Sequence, residues 1–274
     1  MVSEKMVSEA GESEKRAPAR EVSVPAVVRA VAMLRLLSNA AVPLGVNQIA
    51  RELDIIPSTC LHILRALTAE GLVAVDLTTK RYRLGLEILN LAKAALRGSI
   101  ADQAQPYLDE IVRQYMVAAF AVSISGPEHY IVTAKANSPH AIRLQVDLGS
   151  RFPALVSATG RCVAAYTTMP PRVMKAQFER LRWHRAPAYE EWQAQVATVR
   201  AQGYAVDDGN YINGIYITAS PILGPEGEFR HALVALCIKE GWSQNDLLGL
   251  AEIVRRGAVQ VAEGLRLSVK AGAK

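Results

Sequence analysis

The sequence has few cysteines and no long hydrophobic run, and each shortage excludes a class of protein. Its three cysteines, Cys60, Cys162 and Cys237, lie far apart and are odd in number, which argues against a disulfide framework and against a paired-cysteine metal site. No apolar stretch approaches the roughly 20 residues that a membrane helix needs. The charged N-terminal segment has no apolar core of the kind found in secretory signals. These shortages predict a soluble, reduced, cytoplasmic protein.

The short motifs shared by many enzymes are also missing. Neither of the glycine-rich phosphate-binding patterns, G-x-G-x-x-G and G-x-x-x-x-G-K-[ST], occurs, and there is no G-x-S-x-G nucleophile turn. The five histidines are scattered, and none has metal-ligand spacing to another histidine or to a cysteine. We therefore predict no catalytic residue, no metal site and no cofactor.

Positive charge is concentrated in the N-terminal part of the chain. The 274 residues, half of them hydrophobic, are enough for about two domains with packed cores. Residues 22–97 contain nine Lys or Arg and five Asp or Glu, a net charge of +4, whereas the much longer stretch 98–274 has a net charge of +2. A basic patch attracts phosphate groups by releasing condensed counterions. A merely solvated face would have the same composition, so charge alone leaves both interpretations open.

The chain divides into four predicted segments. Residues 1–22, rich in Glu, Ser, Lys and Ala, predict a disordered tail. Residues 23–84 predict helices that begin at Pro25, Val46 and Pro57, a break over residues 43–45, and a β-hairpin with strands near 72–75 and 81–84. Residues 85–98 predict a linker helix.

Residues 99–270 predict a larger domain of helices around a mixed sheet, so that the fold class is α+β. Ser243, followed three residues later by Asp246, predicts the start of a long final helix. The other predicted helices lie near residues 100–116, 157–167, 170–181 and 189–202. The predicted strands lie near 118–125, 129–136, 142–146, 204–208, 214–220 and 230–239.

The helix predicted from Pro57 to about residue 70 has two different faces. On a helical wheel one face collects apolar side chains, Cys60, Leu61, Leu64 and Leu67. The other face presents a hydroxyl, an imidazole and a guanidinium from Ser58, His62 and Arg65. The major groove of DNA admits one helix, and arginine contacts guanine there with two hydrogen bonds. Ser58 and Thr59 occupy the N-terminal end, where recognition helices meet bases and phosphates.

The predicted hairpin adds a basic wing to this helix. Arg81 and Arg83 share one face because side chains alternate along a strand, and Tyr82 and Leu84 then point inward. Together with Lys80, the two arginines can lie along phosphates or enter a narrow minor groove. The alternative is a small helical module whose surface charge serves protein contacts.

Two blocks of sequence carry a resemblance to a known family. Three stretches resemble the winged helix–turn–helix of IclR-family bacterial transcriptional regulators: VVRAVAMLRLLSNA, VNQIARELDIIPSTCLHILRALTAEGLVAVD and KRYRLGLEILNLA. Three later stretches resemble that family's second domain: LGSRFPALVSATGRCVAAY, GYAVDDGNYINGIYITASPI and GEFRHALVALCIKEG. The resemblance implies a GAF-like effector-binding domain for a small organic or aromatic acid. It also implies binding to double-stranded DNA at a near-palindromic operator, as dimers that often pair into tetramers.

The resemblance also implies where an effector would bind. The pocket would lie between the sheet and the loop that opens the Ala-x-Gly helix, whose residues are Ser157, Ala158, Thr159 and Gly160. Backbone N–H groups at a helix start favour an anion, although Ser157 could equally serve as the N-cap.

The opposite wall of this pocket would come from Asp208, Ile217, Cys237 and Lys239. A partly buried Lys239 needs an anionic partner, which would be either a ligand carboxylate or Asp208. Arg143 or Arg151 could hold the carboxylate instead.

Three positions depart from the family pattern. Leu155 stands where the family often has histidine, Gly209 and Asn210 stand where it usually has glutamate, and Asp54 stands where the turn before the recognition helix often has glycine. These differences bear on the ligand chemistry more than on the fold.

The prediction is therefore a ligand-responsive DNA-binding regulator, a repressor of a catabolic operon. The alternatives are an activator of the same architecture, or a protein-interaction or enzyme-like module with a vestigial winged helix. The first helix and the linker helix, with Leu86, Leu89 and Leu96, are the predicted dimer contacts. Ligand binding would shift the balance between dimer arrangements that differ in their fit to DNA.

Overall fold

A computed structural model describes residues 24–96, 100–136, 138 and 144–272. The predicted tail over residues 1–22 lies outside this range. The chain splits between Ala94 and Ala95 into two compact units, an N-terminal unit and a C-terminal unit. The predicted domain limits at residues 84 and 98 stay a prediction.

The N-terminal unit contains three helices and a small sheet, followed by a helix that crosses the division. Its elements are α1 (Pro25–Asn39), β1 (Leu44–Gly45), α2 (Val46–Glu52), α3 (Pro57–Ala69), β2 (Val73–Asp76), β3 (Arg81–Leu84) and α4 (Glu87–Leu96). The sheet order is β1-β3-β2, with both pairs antiparallel. The predicted break over residues 43–45 is wrong in part, because Leu44 and Gly45 pair with the otherwise free edge of β3.

The turn between α2 and α3 is closed by backbone hydrogen bonds around a left-handed residue. Asp54 has a φ of 52°, the N–H of Ile55 donates to the carbonyl of Ala50 at 2.8 Å, and the N–H of Asp54 donates to Arg51 at 3.4 Å. This pair of bonds is the Schellman arrangement, which normally places glycine at the left-handed position. Asp54 therefore takes the conformation that glycine would adopt with less steric cost.

One core holds the helices of the N-terminal unit against the sheet. Its buried side chains come from all three helices and from the strands: Met33, Leu37, Leu44, Ile49, Ala50, Cys60, Leu64, Leu67, Val73 and Tyr82. This shared core fixes α3 and the β2–β3 hairpin relative to each other.

The C-terminal unit is built on a six-stranded sheet. Its elements are α5 (Ile100–Tyr115), β4 (Ala118–Ser125), β5 (His129–Ala136), β6 (Arg151–Pro153), α6 (Ser157–Tyr166), α7 (Pro171–Glu179), α8 (Tyr189–Gln202), β7 (Ala205–Asp208), β8 (Ile215–Leu223), β9 (Phe229–Ile238) and α9 (Gln244–Gly272). The strand order is β6-β5-β4-β9-β8-β7.

Two predictions about this sheet are wrong. Every neighbouring pair of strands in the described residues is antiparallel, so the sheet is not mixed. The short connections β4–β5 and β8–β9 require this, because only antiparallel strands can be joined by a tight turn. Residues 144–146 of the strand predicted near 142–146 are not in a strand, and the edge position is taken by β6, which pairs with β5.

Helices cover both faces of the sheet, and the sheet separates two hydrophobic cores. The first core joins one face to α6, α7 and α8, and Ile217, Val234 and Leu236 point into it. The second core joins the other face to α5 and α9, and Tyr216 and Cys237 point into it. Successive side chains of a strand thus enter opposite cores, so a shift of one residue decides which face a side chain reaches.

The last helix begins with the predicted cap. The Ser243 backbone N–H donates to the Asp246 carboxylate at 3.2 Å, and the Asp246 N–H donates back to the Ser243 hydroxyl at 3.2 Å, which confirms the capping pair. Although α9 has 29 residues, neither it nor any other helix in the described ranges is apolar enough over sufficient length to cross a membrane.

Candidate functional site

The two faces predicted for α3 are confirmed, except that Leu61 is only half-buried and does not belong to the core. Cys60, Leu64 and Leu67 are buried in the core of the N-terminal unit, whereas Ser58, His62 and Arg65 are exposed and Thr59 is half-buried. The contacts of these four polar residues with DNA stay a prediction. Within the described residues, the Arg65 guanidinium has no hydrogen bond and no ion pair, so it is available to a partner.

The wing also shows the predicted alternation. Tyr82 is buried while Arg81 and Arg83 are exposed. Arg81 is partly engaged, because its Nη1 donates to the carbonyl of Pro43 at 3.1 Å and so fastens the wing to the segment before β1. Lys80 is exposed at the end of the hairpin turn, with a φ of 54°. Arg81 can therefore orient the wing while Lys80 and Arg83 offer their charges outward.

In the C-terminal unit, the segment Ser157–Gly160 forms the buried first turn of α6. Val156 is the N-cap and makes no side-chain capping bond, so the alternative that Ser157 is the N-cap is wrong. The N–H groups of Ala158 and Thr159 donate to no backbone carbonyl among the described residues, as expected for the first turn of a helix. Buried donors without an acceptor are costly, and N–H groups at the start of a helix favour an anion.

Gly160 is required by a close approach of the chain to itself. A Cβ atom at this position would lie 2.0 Å from the carbonyl carbon of Leu155, far inside van der Waals contact. The Ala-x-Gly pattern therefore brings the backbone before α6 against the first turn of the helix. The segment can be compact only with glycine at this position.

A buried phenol lies beside this first turn. Burial raises the pKa of Tyr130 above its ordinary value, and a hydrogen bond between Tyr130 and Thr159 opposes that shift only in part. The phenol therefore stays protonated at neutral pH and can donate a hydrogen bond. Tyr130 and Thr159 add two hydroxyl groups to the N–H groups at the start of α6.

The most heavily bonded side chain of this region is Arg161, which is not among the predicted site residues. Its guanidinium donates to Gln195 at 2.7 Å, to the Ser157 carbonyl at 3.0 Å, to Asn210 at 3.0 Å and to Asp207 at 3.1 Å. Arg161 and Asp207 have side chains that are 1% and 0% exposed. Burial lowers the pKa of Arg161, and the neighbouring Asp207 carboxylate opposes that shift. This one side chain ties together α6, α8, β7 and the loop after β7.

A signal for this network was present in the sequence. An arginine directly follows Ala-x-Gly, in a segment whose other side chains are mostly small and apolar. A charged side chain in such a segment is buried only when it is paired. Asp207 and Asp208 are neighbours in β7, so their side chains point to opposite faces of the sheet. Asp207 points inward to Arg161 and Asp208 points outward.

Only one of the four residues predicted for the opposite wall faces α6, and the contact of all four with an effector stays a prediction. Ile217 does point into the core that contains α6. Cys237 lies in the core on the other face of the sheet, where burial raises the pKa of its thiol to about 11. Asp208 and Lys239 form an ion pair of 2.7 Å with both side chains about half exposed, because strand alternation turns them away from α6.

Of the two arginines predicted as alternative carboxylate clamps, only Arg151 lies within the described residues. Arg151 is exposed on the edge strand β6. Arg143 lies outside the described residues.

A cavity of about 450 Å³ opens at the ends of β4 and β9. Its lining comes from both cores: Ala118, Leu144 and Leu236 belong to the core of α6, whereas Val117, Cys237 and Trp242 belong to the core on the other face of the sheet. Met116 and Trp242 complete an apolar wall. The volume is within the range of small-molecule pockets, so this cavity can admit an apolar ring or chain next to the core that holds the polar groups.

Comparison with protein families matches both units. The family model "Bacterial transcriptional regulator IclR C-terminal" matches residues 92–263, and the model "IclR helix-turn-helix domain" matches residues 26–77. Together they extend over most of the chain.

Individual proteins agree with these matches. The chain is 26% identical to a glycerol operon regulatory protein of Streptomyces griseus over 202 residues, which cover 73% of this chain and 79% of that protein. An IclR transcriptional regulator from Alicyclobacillus acidocaldarius has a similar crystal structure, with a TM-score of 0.76, 25% identity, and coverage of 88% of this chain and 98% of that one.

A third relative was crystallised with a ligand. It is an IclR homologue from Microbacterium hydrocarbonoxydans in complex with 4-hydroxybenzoate, with a TM-score of 0.73, 20% identity, and coverage of 88% of this chain and 99% of that one. At this identity the likeness supports the fold alone.

Proposed function

The chain belongs to the IclR family of bacterial transcriptional regulators, and from this premise we propose that it binds a near-palindromic operator under the control of a small organic or aromatic acid. It is a regulator and not an enzyme. The proposed partners are double-stranded DNA, the acid effector and further copies of the chain, and the proposed location is the cytoplasm.

The observation that carries the DNA-binding proposal is the exposed polar face of α3. Arg65 is free to bind guanine in the major groove, and Ser58 and Thr59 at the start of the helix are placed to meet the first bases and phosphates. Lys80 and Arg83 on the wing add contacts to phosphates, which position the protein without reading sequence. Base reading is thus assigned to α3 and backbone contact to the wing.

An operator shift assay tests this division of roles. We expect Arg65→Ala to cost about 1–3 kcal/mol at one base position and Lys80→Ala to weaken binding to all sequences alike. Arg113→Ala, which removes an exposed charge from α5 of the C-terminal unit, is the matched control and should leave operator affinity near normal. Equal losses for all three variants would contradict the assignment, because net charge alone would then govern binding.

We further propose that the chain binds DNA as a homodimer, which could pair into a tetramer. One recognition helix gives little discrimination, and a symmetric dimer doubles the contacts on a palindrome. Exposed apolar side chains on α1 and just before and within α4, among them Val27, Val28, Leu86 and Leu89, support these helices as the contact. The side chain of Leu96 lies outside the described residues.

Analytical ultracentrifugation tests the dimer proposal. Leu89→Ser should increase the monomer fraction and lower operator affinity, because the buried apolar contact would be lost. Leu248→Ser, at an exposed leucine of α9, is the control for added polarity. A monomeric wild-type protein with full operator affinity would contradict the proposal.

For the effector, we propose that a carboxylate binds at the first turn of α6. The N–H groups of Ala158 and Thr159, which donate to no backbone carbonyl among the described residues, support this assignment. The hydroxyls of Thr159 and Tyr130 add two further donors for an anion. The apolar cavity at the ends of β4 and β9 suits the remainder of such a ligand. The 4-hydroxybenzoate bound by the Microbacterium hydrocarbonoxydans homologue has both features, an acid group and a ring.

Calorimetry with 4-hydroxybenzoate, a panel of aliphatic acids and the matching amides tests the effector class. We expect acids to bind and amides to fail, and Thr159→Val to abolish binding while operator affinity stays near normal. Lys239→Met is the control, because Lys239 pairs with Asp208 at the surface. Unchanged acid affinity in Thr159→Val would refute the site.

The proposed sign of control is repression of a catabolic operon. An activator would use the same parts and would differ by the position of its operator. A reporter fused to the bound promoter distinguishes them, since deletion of the gene raises expression under repression and lowers it under activation.

A further inference from the structure

The turn at the tip of the wing is held rigidly by one aspartate. The N–H groups of Thr78 and Thr79 donate to the Asp76 carboxylate at 2.8 and 3.1 Å, and the Lys80 N–H donates to the Asp76 carbonyl at 2.8 Å. The bonds from Thr79 and Thr78 to the carboxylate lower the pKa of Asp76, those from Thr79 most of all. The four-residue turn 77–80 is therefore a defined structure that projects particular side chains.

The first residue of this rigid turn is a leucine that points into solvent. Leu77 is 74% exposed, and its neighbours in the turn are all polar. Scattered exposed leucines are common, but a protein-docking surface needs a contiguous apolar patch, and the tip offers none. An isolated apolar side chain on a rigid, basic hairpin fits a different partner.

We propose that Leu77 is an apolar wedge that enters the minor groove of the operator and partly unstacks one base step. This inference rests on the proposed binding of the wing to DNA. Leucine is among the side chains that architectural DNA-binding proteins insert between base steps, and the inserted side chain kinks the duplex. Lys80 and Arg83, both exposed, would hold the flanking phosphates while the leucine is inserted.

The wedge adds sequence selection without any hydrogen bond to a base. Pyrimidine–purine steps such as TA and CA unstack and kink more easily than other steps. An operator with such a step under the wing therefore binds more tightly than one with a stiff A-tract there. Specificity would thus come from α3 by direct contact and from Leu77 by deformability.

Fluorescence of a base analogue tests the unstacking. An operator is selected from random duplexes with the full-length wild-type protein, and 2-aminopurine is placed at successive positions under the wing. Wild type should raise the fluorescence at one step in each half-site, and Leu77→Met should keep this signal. Leu77→Ala should lose it and bind the operator about tenfold more weakly, the order of one mismatched base pair.

Two controls separate the wedge from charge and from folding. Thr78→Ala changes the adjacent side chain but keeps the N–H that bonds Asp76, and it should behave like wild type. Lys80→Ala should weaken binding to selected and random duplexes alike while the fluorescence signal at saturation remains. Replacing the step under the wing by an A-tract should weaken wild type and leave Leu77→Ala unchanged.

The outcomes separate this inference from the proposed function. Operator binding by wild type with no fluorescence change, or equal operator affinity for Leu77→Ala, overturns the wedge and leaves the regulator in place. Failure of wild type to select any duplex overturns the proposed function itself. A Leu77→Ala variant that alters only self-association would assign the leucine to a protein contact and also overturns the wedge.

Discussion

Replacing Arg161 by methionine should strongly destabilise the C-terminal unit. The substitution keeps the long apolar stem and removes the guanidinium, which donates to four acceptors. It leaves the fully buried Asp207 carboxylate without a counter-charge. Asp207 still accepts the Tyr211 N–H at 3.0 Å, so a single neutral hydrogen bond would have to support a buried negative charge.

The expected cost follows from the burial of both partners. Removing one member of a buried ion pair costs about 3–5 kcal/mol. For a unit of this size, each kcal/mol corresponds to a shift of about 2–4 °C in Tm. Asp207→Asn keeps an acceptor for the Tyr211 N–H and removes the buried charge. The double variant Arg161→Met with Asp207→Asn should therefore be more stable than Arg161→Met alone, by about 2 kcal/mol.

Tryptophan fluorescence during urea unfolding provides the assay. All three tryptophans, Trp183, Trp192 and Trp242, belong to the C-terminal unit, so the signal reports this unit alone. The four proteins of the cycle give the coupling free energy between Arg161 and Asp207 directly. Additive losses, with the double variant less stable than either single variant, would refute the reasoning that the unpaired carboxylate is the main cost.

Three further predictions concern single residues. Burial lowers the pKa of His231 to about 4, below its value of about 6.5 in the unfolded chain. Over this window the unfolded chain binds a proton that the folded chain does not, so about 3 kcal/mol of stability is lost as the pH falls from about 6.5 to 4; His231→Gln should flatten the measured stability profile there. Asp54→Gly should stabilise the N-terminal unit by about 0.5–1 kcal/mol in thermal unfolding, because it relieves a left-handed residue, and a loss of stability would show that the aspartate side chain is needed there. Gly160→Ala should abolish acid binding in calorimetry, since its Cβ would overlap Leu155; unchanged binding would mean that the first turn of α6 is not the site.

Local sequence signals determined most of the N-terminal unit correctly. Three of these signals act over only a few residues: the proline at the first turn of α1 and α3, the left-handed Gly71 after α3, and the alternation in β3. They can therefore be recognised in the sequence without long-range information. The same is true of the two faces of α3, because helical periodicity alone sorts its side chains. The short strand β1 was missed, because two residues carry no period and their pairing depends on β3.

The composition of the effector site was only partly accessible from the sequence. The segment Ser157–Gly160 could be located by its resemblance to a family pattern. Its opposite wall could not, because placing Asp207 and not Asp208 against α6 requires the register of β7, and one residue reverses the face. Arg161 could be noticed as an unusual charge. Its partners could not be identified, because they lie between 4 and 49 residues away along the chain.

The sequence by itself thus determined most of the helices and longer strands, the exposed face of α3, the basic wing and the family. Only the tertiary structure decided that Arg161 joins four segments, that Cys237 belongs to the opposite core, and that Lys239 is neutralised by Asp208 at the surface. The physical reason is the range of the interactions. Periodicity, capping and turn chemistry act between near neighbours in the chain, whereas buried charge pairs and sheet faces depend on which distant segments are packed together.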